Sequence, residues 1–156
     1  MNSFADFYSE NKKRLFAYLV RMSGDAELSR DVLQESFAKY LERYGRQTLS
    51  VPLLFTIARN AFFDVVRKRK QYPEAGADTE PMGPDPEADM LVREEYRQVV
   101  DAFQRLEMSE REVLSLVVSG GMSYRAVAET VGISEANVKV KVHRARLKLR
   151  TLLKAG

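Results

Sequence analysis

The chain has 156 residues, 45% of them apolar, with 25 Lys plus Arg against 22 Asp plus Glu and a formal net charge of +3. That is enough for one domain or two small ones with real cores, and so mild a net charge does not by itself imply a polyanionic partner. With no cysteine and one histidine, His143, disulfides, thiolate metal sites and cysteine nucleophiles are excluded, and no metal or other cofactor is expected.

No basic lead followed by an apolar run opens the chain, and no stretch approaches a membrane span, so a cytoplasmic protein without membrane insertion is expected. The charge is unevenly spread. Residues 1–70 carry 13 Lys plus Arg against 8 Asp plus Glu, residues 71–90 carry 0 against 6, and residues 91–156 carry 12 against 8. Two basic blocks flank an acidic bridge.

Residues 3–22 read as a helix with Phe4, Phe7, Tyr8, Leu15, Leu19 and Met22 as its apolar stripe and Gly24 as its stop. Asp25 can cap a second helix to Tyr44, apolar through Leu28, Val32, Phe37, Tyr40 and Leu41 and ended by Gly45. Its opposite side is polar, with Asp31, Gln34, Glu35 and Lys39. After a loop over 46–50, Ser50 caps a third helix, with Pro52 in the first turn where its missing amide has no intrahelical partner. This helix is apolar around much of its circumference and should be central to an N-terminal bundle; it ends in Arg67, Lys68, Arg69 and Lys70.

Residues 71–90 hold four of the five prolines and no basic residue, so they read as a flexible acidic linker that cannot bury a core. The next helix is expected over 91–106, and Ser109-Glu110-Arg111-Glu112 reads as a capping box starting another that stops at Gly120-Gly121. Ser123 then caps a short helix with Val127, Ala128 and Val131 at helical spacing, Gly132 turns the chain, and Ser134 caps the last helix. There Val138, Val142, Ala145, Leu149 and Leu152 form an inward stripe, while Lys139, Lys141, Arg144, Arg146, Lys148, Arg150 and Lys154 follow with no acidic residue after Glu135. A charge run alone reads as a solvated face. The two caps, the glycine turn and the basic second helix together make a helix-turn-helix that binds nucleic acid. The expected fold class is all-α: helical domains 1–70 and 91–156 joined by the linker 71–90, the second carrying the helix-turn-helix.

Taken together, these residues resemble the extracytoplasmic-function group of bacterial sigma factors, the promoter-specificity subunits of RNA polymerase. L-E-M-S-E-R-E-V-L-S-L, G-M-S-Y-R-A-V-A-E-T-V-G-I-S and V-K-V-K-V-H-R-A-R-L-K-L are similar to that family's reader of the minus-35 element. D-A-E-L-S-R-D-V-L-Q-E-S-F-A-K-Y and F-T-I-A-R-N-A-F-F-D-V-V-R-K-R are similar to its polymerase-binding and minus-10 segments. The resemblance implies a sigma factor that directs promoter recognition, strand opening and initiation, with core RNA polymerase and promoter DNA as partners and an anti-sigma factor masking it.

Residue by residue, the resemblance places Asp31, Gln34, Glu35 and Phe37 on the helix that docks on polymerase, although the apolar stripe equally puts Phe37 in the core. It places Arg46, Gln47 and Thr48 in the loop that captures a base flipped from the minus-10 strand, with Asn60 at the strand junction and Arg59, Arg67, Lys68, Arg69 and Lys70 on phosphates. Loop and cap chemistry is the other reading of the polar members. With Val138, Val142 and Ala145 inward, Glu135, Asn137, Lys139, Val140, Lys141, His143 and Arg144 face DNA, while Ser123, Tyr124, Arg125 and Ser134 suit phosphates.

Many family members have tryptophan where this chain has Leu53, and a Ser-Arg pair in place of Val140-Lys141, which points to a different target sequence. The acidic linker reads either as a strand threaded through polymerase toward the RNA exit or as a plain tether. The alternative function is an autonomous helix-turn-helix regulator with a dimerising or sensing bundle, which would bind duplex DNA without polymerase. An enzyme is not expected, because His143 would be its base and no carboxylate follows Glu135 on that helix.

Overall fold

The computed structural model describes residues 3–71 and 94–155. Among the described residues it forms seven helices and no strand: α1 (Phe4–Ser23), α2 (Ala26–Tyr44), α3 (Val51–Gln71), α4 (Glu94–Gln104), α5 (Met108–Val118), α6 (Tyr124–Val131) and α7 (Glu135–Ala155). The linker expected over 71–90 lies outside the described residues except for Gln71, which closes α3, and so do Leu91 and Val92.

The helices of the N-terminal half start where the sequence supplies an acceptor. At α1, Ser3 Oγ accepts from the Asp6 amide at 3.1 Å and the Asp6 carboxylate accepts from the Ser3 amide at 3.3 Å, a reciprocal cap. Asp25 accepts from the Leu28 amide at 3.1 Å to open α2, and Ser50 from the Leu53 amide at 3.4 Å to open α3. Gly24 ends α1 in the left-handed region at φ 69°, where its amide reaches the Val20 carbonyl.

The first helix is buried on two faces. Phe7, Leu15, Leu19 and Met22 join α2 and α3, as the stripe implies, and Tyr18 stands edge-on to Phe55 with ring centroids 5.5 Å apart. Phe16 and Val20, outside that stripe, are also fully buried, packed with Val100 of α4 and with Ala26 and Tyr96 beside them. One apolar core consequently runs from α1, α2 and α3 into Phe103, Leu114, Leu116, Met122 and Val127 of the C-terminal half.

Arginines fasten the two halves through helix ends. Arg14 donates to the Ser119 and Gly120 carbonyls at 3.2 and 2.8 Å, just past α5, and Arg21 donates to the Ser119 hydroxyl. In return, Arg111 of α5 donates to the Met22 carbonyl at 3.0 Å and to those of Gln104 and Leu106 at 2.8 and 3.0 Å. The last carbonyls of a helix lack intrahelical partners and carry the negative end of its dipole, so an arginine placed there satisfies both. Burial lowers the Arg111 pKa from its ordinary value. Where α5 ends on Phe55, only glycine fits: a Cβ on Gly120 would lie 2.6 Å from the Leu116 carbonyl oxygen and 3.2 Å from the Phe55 ring.

The capping box expected at 109–112 is not formed. Helix α5 begins at Met108 after Glu107, whose side chain makes no cap, so Ser109 lies within the first turn. Glu110 and Glu112 are instead buried and paired, Glu110 with Lys148 at 2.8 Å and Glu112 with Arg59. A buried carboxylate needs a cation far more than a helix start needs a cap, and the distant partners prevail. Helix α4 ends at Gln104, short of the expected Leu106, whose amide closes a final turn onto the Phe103 carbonyl at 3.1 Å.

Candidate nucleic-acid interface

The turn between α6 and α7 is built by three local devices. Ser123 Oγ accepts from the Ala126 amide at 3.1 Å, Gly132 turns the chain at φ 82°, and Ser134 Oγ accepts from the Asn137 amide at 3.0 Å. Val127 and Ala128 of α6 and Val138, Val142 and Ala145 of α7 face the core. This leaves Glu135, Asn137, Lys139, Val140, His143 and Arg144 exposed on the first turns of α7. Val140 is 45% exposed, an apolar group left open among cations. Lys141 departs from the expected set: it is half-buried, and its Nζ donates to Ser109 Oγ at 3.2 Å, bracing α7 on α5. Ser123, Arg125 and Ser134 are exposed and Tyr124 is half-buried, with Arg125 paired loosely to Glu129 at 3.6 Å.

A second polar surface lies on the loop after α2 and along α3. Tyr40, fully buried, donates its hydroxyl to the Thr48 carbonyl and accepts from the Ser50 amide, which fixes the end of the loop. The Arg46, Gln47 and Thr48 side chains stay exposed above it, as does Asn60 on α3. Farther along α3, Arg67 pairs with Asp64 at 3.0 Å and Arg69 with Asp25 at 3.5 Å, while Lys68 and Lys70 are exposed. Arg59 is turned toward the other half. Its Nε donates to the Glu112 carboxylate, and its guanidinium lies 5.1 Å from the centroid of the Phe63 ring. Beside it, the hydroxyls of Thr56 on α3 and Thr130 on α6 meet at 3.1 Å.

On the outer side of α2, Asp31, Gln34 and Glu35 are exposed, with Glu35 bridged to Lys39 at 3.1 Å and Gln34 donating to the Tyr8 hydroxyl at 3.3 Å. Phe37 is not part of that face. It is 3% exposed, its ring edge-on to Phe4 and Phe7 and 4.6 Å from Tyr8, so of its two readings the structure takes the core one. The junction set of Arg14, Arg21 and Arg111 was not visible as a group, because each donates to a backbone carbonyl or a serine hydroxyl of the other half and not to a charge that the sequence displays. Among the described residues no group of acidic and histidine side chains could hold a metal ion, and no helix is long and apolar enough to cross a membrane.

Described residues that are helical throughout, with a polar α2 face, a pinned loop and a basic helix-turn-helix, fit the architecture of a promoter-binding polymerase subunit, and comparison with known proteins agrees. Residues 7–72 match Sigma-70 region 2 and residues 96–149 match Sigma-70, region 4. The chain is 31% identical to RNA polymerase sigma factor CarQ of Myxococcus xanthus, across 97% of this chain and 90% of that protein. It is 29% identical to the ECF RNA polymerase sigma factor SigM of Bacillus subtilis, across 97% and 95%. Among solved structures, the sigma factor RpoE in complex with the anti-sigma factor NepR from Bartonella quintana superposes with a TM-score of 0.71 at 25% identity, over 96% of this chain and 97% of that one. CnrH in complex with the cytosolic domain of CnrY shares the fold, with a TM-score of 0.70 at 24% identity over 97% and 88%. The chain belongs to the extracytoplasmic-function group of the sigma-70 family: it is a sigma factor that directs promoter recognition, strand opening and transcription initiation.

Proposed function

We propose that residues 1–70 dock on core RNA polymerase and open the minus-10 element, and that residues 91–156 read the minus-35 element. The observation that carries this reading is the first half of α7, where Asn137, Lys139, Val140, His143 and Arg144 stand clear while Val138, Val142 and Ala145 anchor the helix. A recognition helix needs that disposition to reach base edges in the major groove. Asn137 suits adenine, Lys139 or Arg144 guanine, and Val140 a thymine methyl, with Ser123, Tyr124, Arg125 and Ser134 on flanking phosphates.

In the other half, Gln47 and Thr48 read the flipped base and Asn60 holds the strand junction. Unstacking a base costs a few kcal/mol, which a pocket for the extruded base offsets. Arg46 belongs to the same base-capturing loop, and Arg59, Arg67, Lys68, Arg69 and Lys70 hold phosphates without reading sequence. Asp31, Gln34 and Glu35 meet basic groups of the polymerase and orient the docking, with Phe37 supporting them from beneath. The protein acts as a specificity subunit with no active site of its own. By its likeness to the RpoE complexed with NepR, an anti-sigma factor is a further partner.

Each half alone makes few DNA contacts, and polymerase supplies the scaffold that joins them. In a gel-shift assay, promoter DNA moves with protein and core polymerase together and not with the protein alone. A sequence-specific shift by the protein alone would favour the autonomous regulator instead.

A further inference from the structure

We propose that Glu112 occupies, in the free protein, the place on Arg59 that a minus-10 phosphate takes in the initiation complex. Closure of the two halves and DNA binding then compete for one guanidinium. The proposal rests on the reading of Arg59 as a phosphate contact.

The geometry is specific to this residue pair. Arg59 sits next to Asn60 on the helix assigned to the minus-10 strand, yet its side chain is only 22% exposed and that of Glu112 only 7%. A carboxylate and a phosphate present the same planar pair of acceptor oxygens to an arginine fork, so one excludes the other. Most of the other polar links across the junction leave the DNA residues untouched. Arg14 and Arg111 reach backbone carbonyls, Arg21 a serine hydroxyl, and Thr56 meets Thr130. Arg59 is the member of the DNA set that the junction also uses.

Glu112 makes the exchange all-or-none. Its buried carboxylate cannot stay in place once its cation leaves, because an unpaired charge at that depth is strongly disfavoured. Moving Arg59 to a phosphate must release Glu112 to water, and α5 carries Glu112 away only if the C-terminal half lifts from α3. Opening and DNA binding are linked, and linkage is reciprocal: a partner that parts the halves raises affinity for the strand, and the strand favours parting.

The full-length protein tests this with two readouts, the radius of gyration by small-angle scattering and binding of a short labelled single-stranded oligonucleotide of mixed sequence. Glu112→Gln is expected to expand the protein and tighten DNA binding about tenfold, the order of one lost charge-assisted hydrogen bond. Arg59→Ala should also expand it but weaken binding. Glu42→Gln, an exposed carboxylate on α2, removes the same charge away from the junction and sets the background. If Glu112→Gln stays at that background in both readouts, the latch is wrong. If it expands the protein without tightening DNA binding, Arg59 is not a phosphate contact, while the closure itself stands.

A second arm does not depend on that variant folding. The chain has no cysteine, so Thr56→Cys with Thr130→Cys offers a single reducible lock where the two hydroxyls now meet. Oxidised, the double variant should fail to support transcription by core polymerase, and reductant should restore it. Equal activity in both redox states would overturn the proposal.

Discussion

The amide of Ser50 donates to the phenol oxygen of Tyr40 at 2.9 Å, and the same hydroxyl donates back to the Thr48 carbonyl. One buried side chain at the end of α2 thereby sets the path of the loop that leads into α3. Tyr40→Phe keeps the ring and its stacking on Phe7 but leaves both backbone groups to water. A loss of about 1–2 kcal/mol in thermal or urea unfolding is expected. Because the freed segment carries Gln47 and Thr48, open-complex formation, followed by permanganate reactivity of the melted strand, should fall more than affinity for core polymerase.

Exposed and buried positions on α7 should separate cleanly. Asn137→Ala and Lys139→Ala remove exposed side chains, so melting temperature should hold while discrimination at one minus-35 base pair drops by about 1–3 kcal/mol each. Val142→Ala does the reverse, lowering stability by about 1–3 kcal/mol with base preference unchanged. Competition binding of holoenzyme to single-base promoter variants, beside thermal melts, distinguishes the two patterns.

Lys68 and Lys70, exposed at the end of α3, are expected to act through phosphates only. Replacing each by glutamine should weaken promoter binding similarly for every sequence and flatten the slope of log affinity against log salt by about 0.7–0.9 for each phosphate left without its cation. A change in base preference would show that they do more than hold the backbone.

Docking on polymerase should depend on α2 in two distinguishable ways. Asp31→Lys and Glu35→Lys reverse exposed charges and should reduce association with core polymerase without altering the melt. Phe37→Ala empties a site packed by Phe4, Phe7 and Tyr8 and should cost about 3–5 kcal/mol of stability, so its polymerase defect should follow its unfolding.

Burial raises the Tyr18 pKa well above its ordinary 10.0, opposed in part by Arg59, and its hydroxyl is buried with no hydrogen-bond partner. The unfolded phenol ionises first as pH rises, so stability is intact below pH 10 and declines above it. Tyr18→Phe should remove that alkaline loss and leave neutral-pH stability equal or up to about 1 kcal/mol higher, measured by denaturant melts across pH.

What was legible in the sequence was local. Asp25, Ser50, Ser123 and Ser134 each cap the helix they precede, because a cap needs only an acceptor and an amide three residues on. The inward stripe of α7 was equally readable, since Val138, Val142 and Ala145 repeat with the helix. The long-range choices were not. Glu110 and Glu112 look like a cap until Lys148 and Arg59, 38 and 53 residues away, arrive to pair with them. Phe16 and Val20 fall outside the stripe of α1 because they answer to Val100 across the junction. Lys141 has the composition of a DNA contact and the position of a brace on Ser109. No pattern within one helix carries the docking of two halves.

The most direct measurement is run-off transcription by core RNA polymerase on genomic DNA fragments, with and without the purified protein. Discrete start sites that core polymerase alone does not use are expected, together with co-elution of the protein with core. No new start sites, together with sequence-specific DNA binding by the protein alone, would contradict its role as a sigma factor.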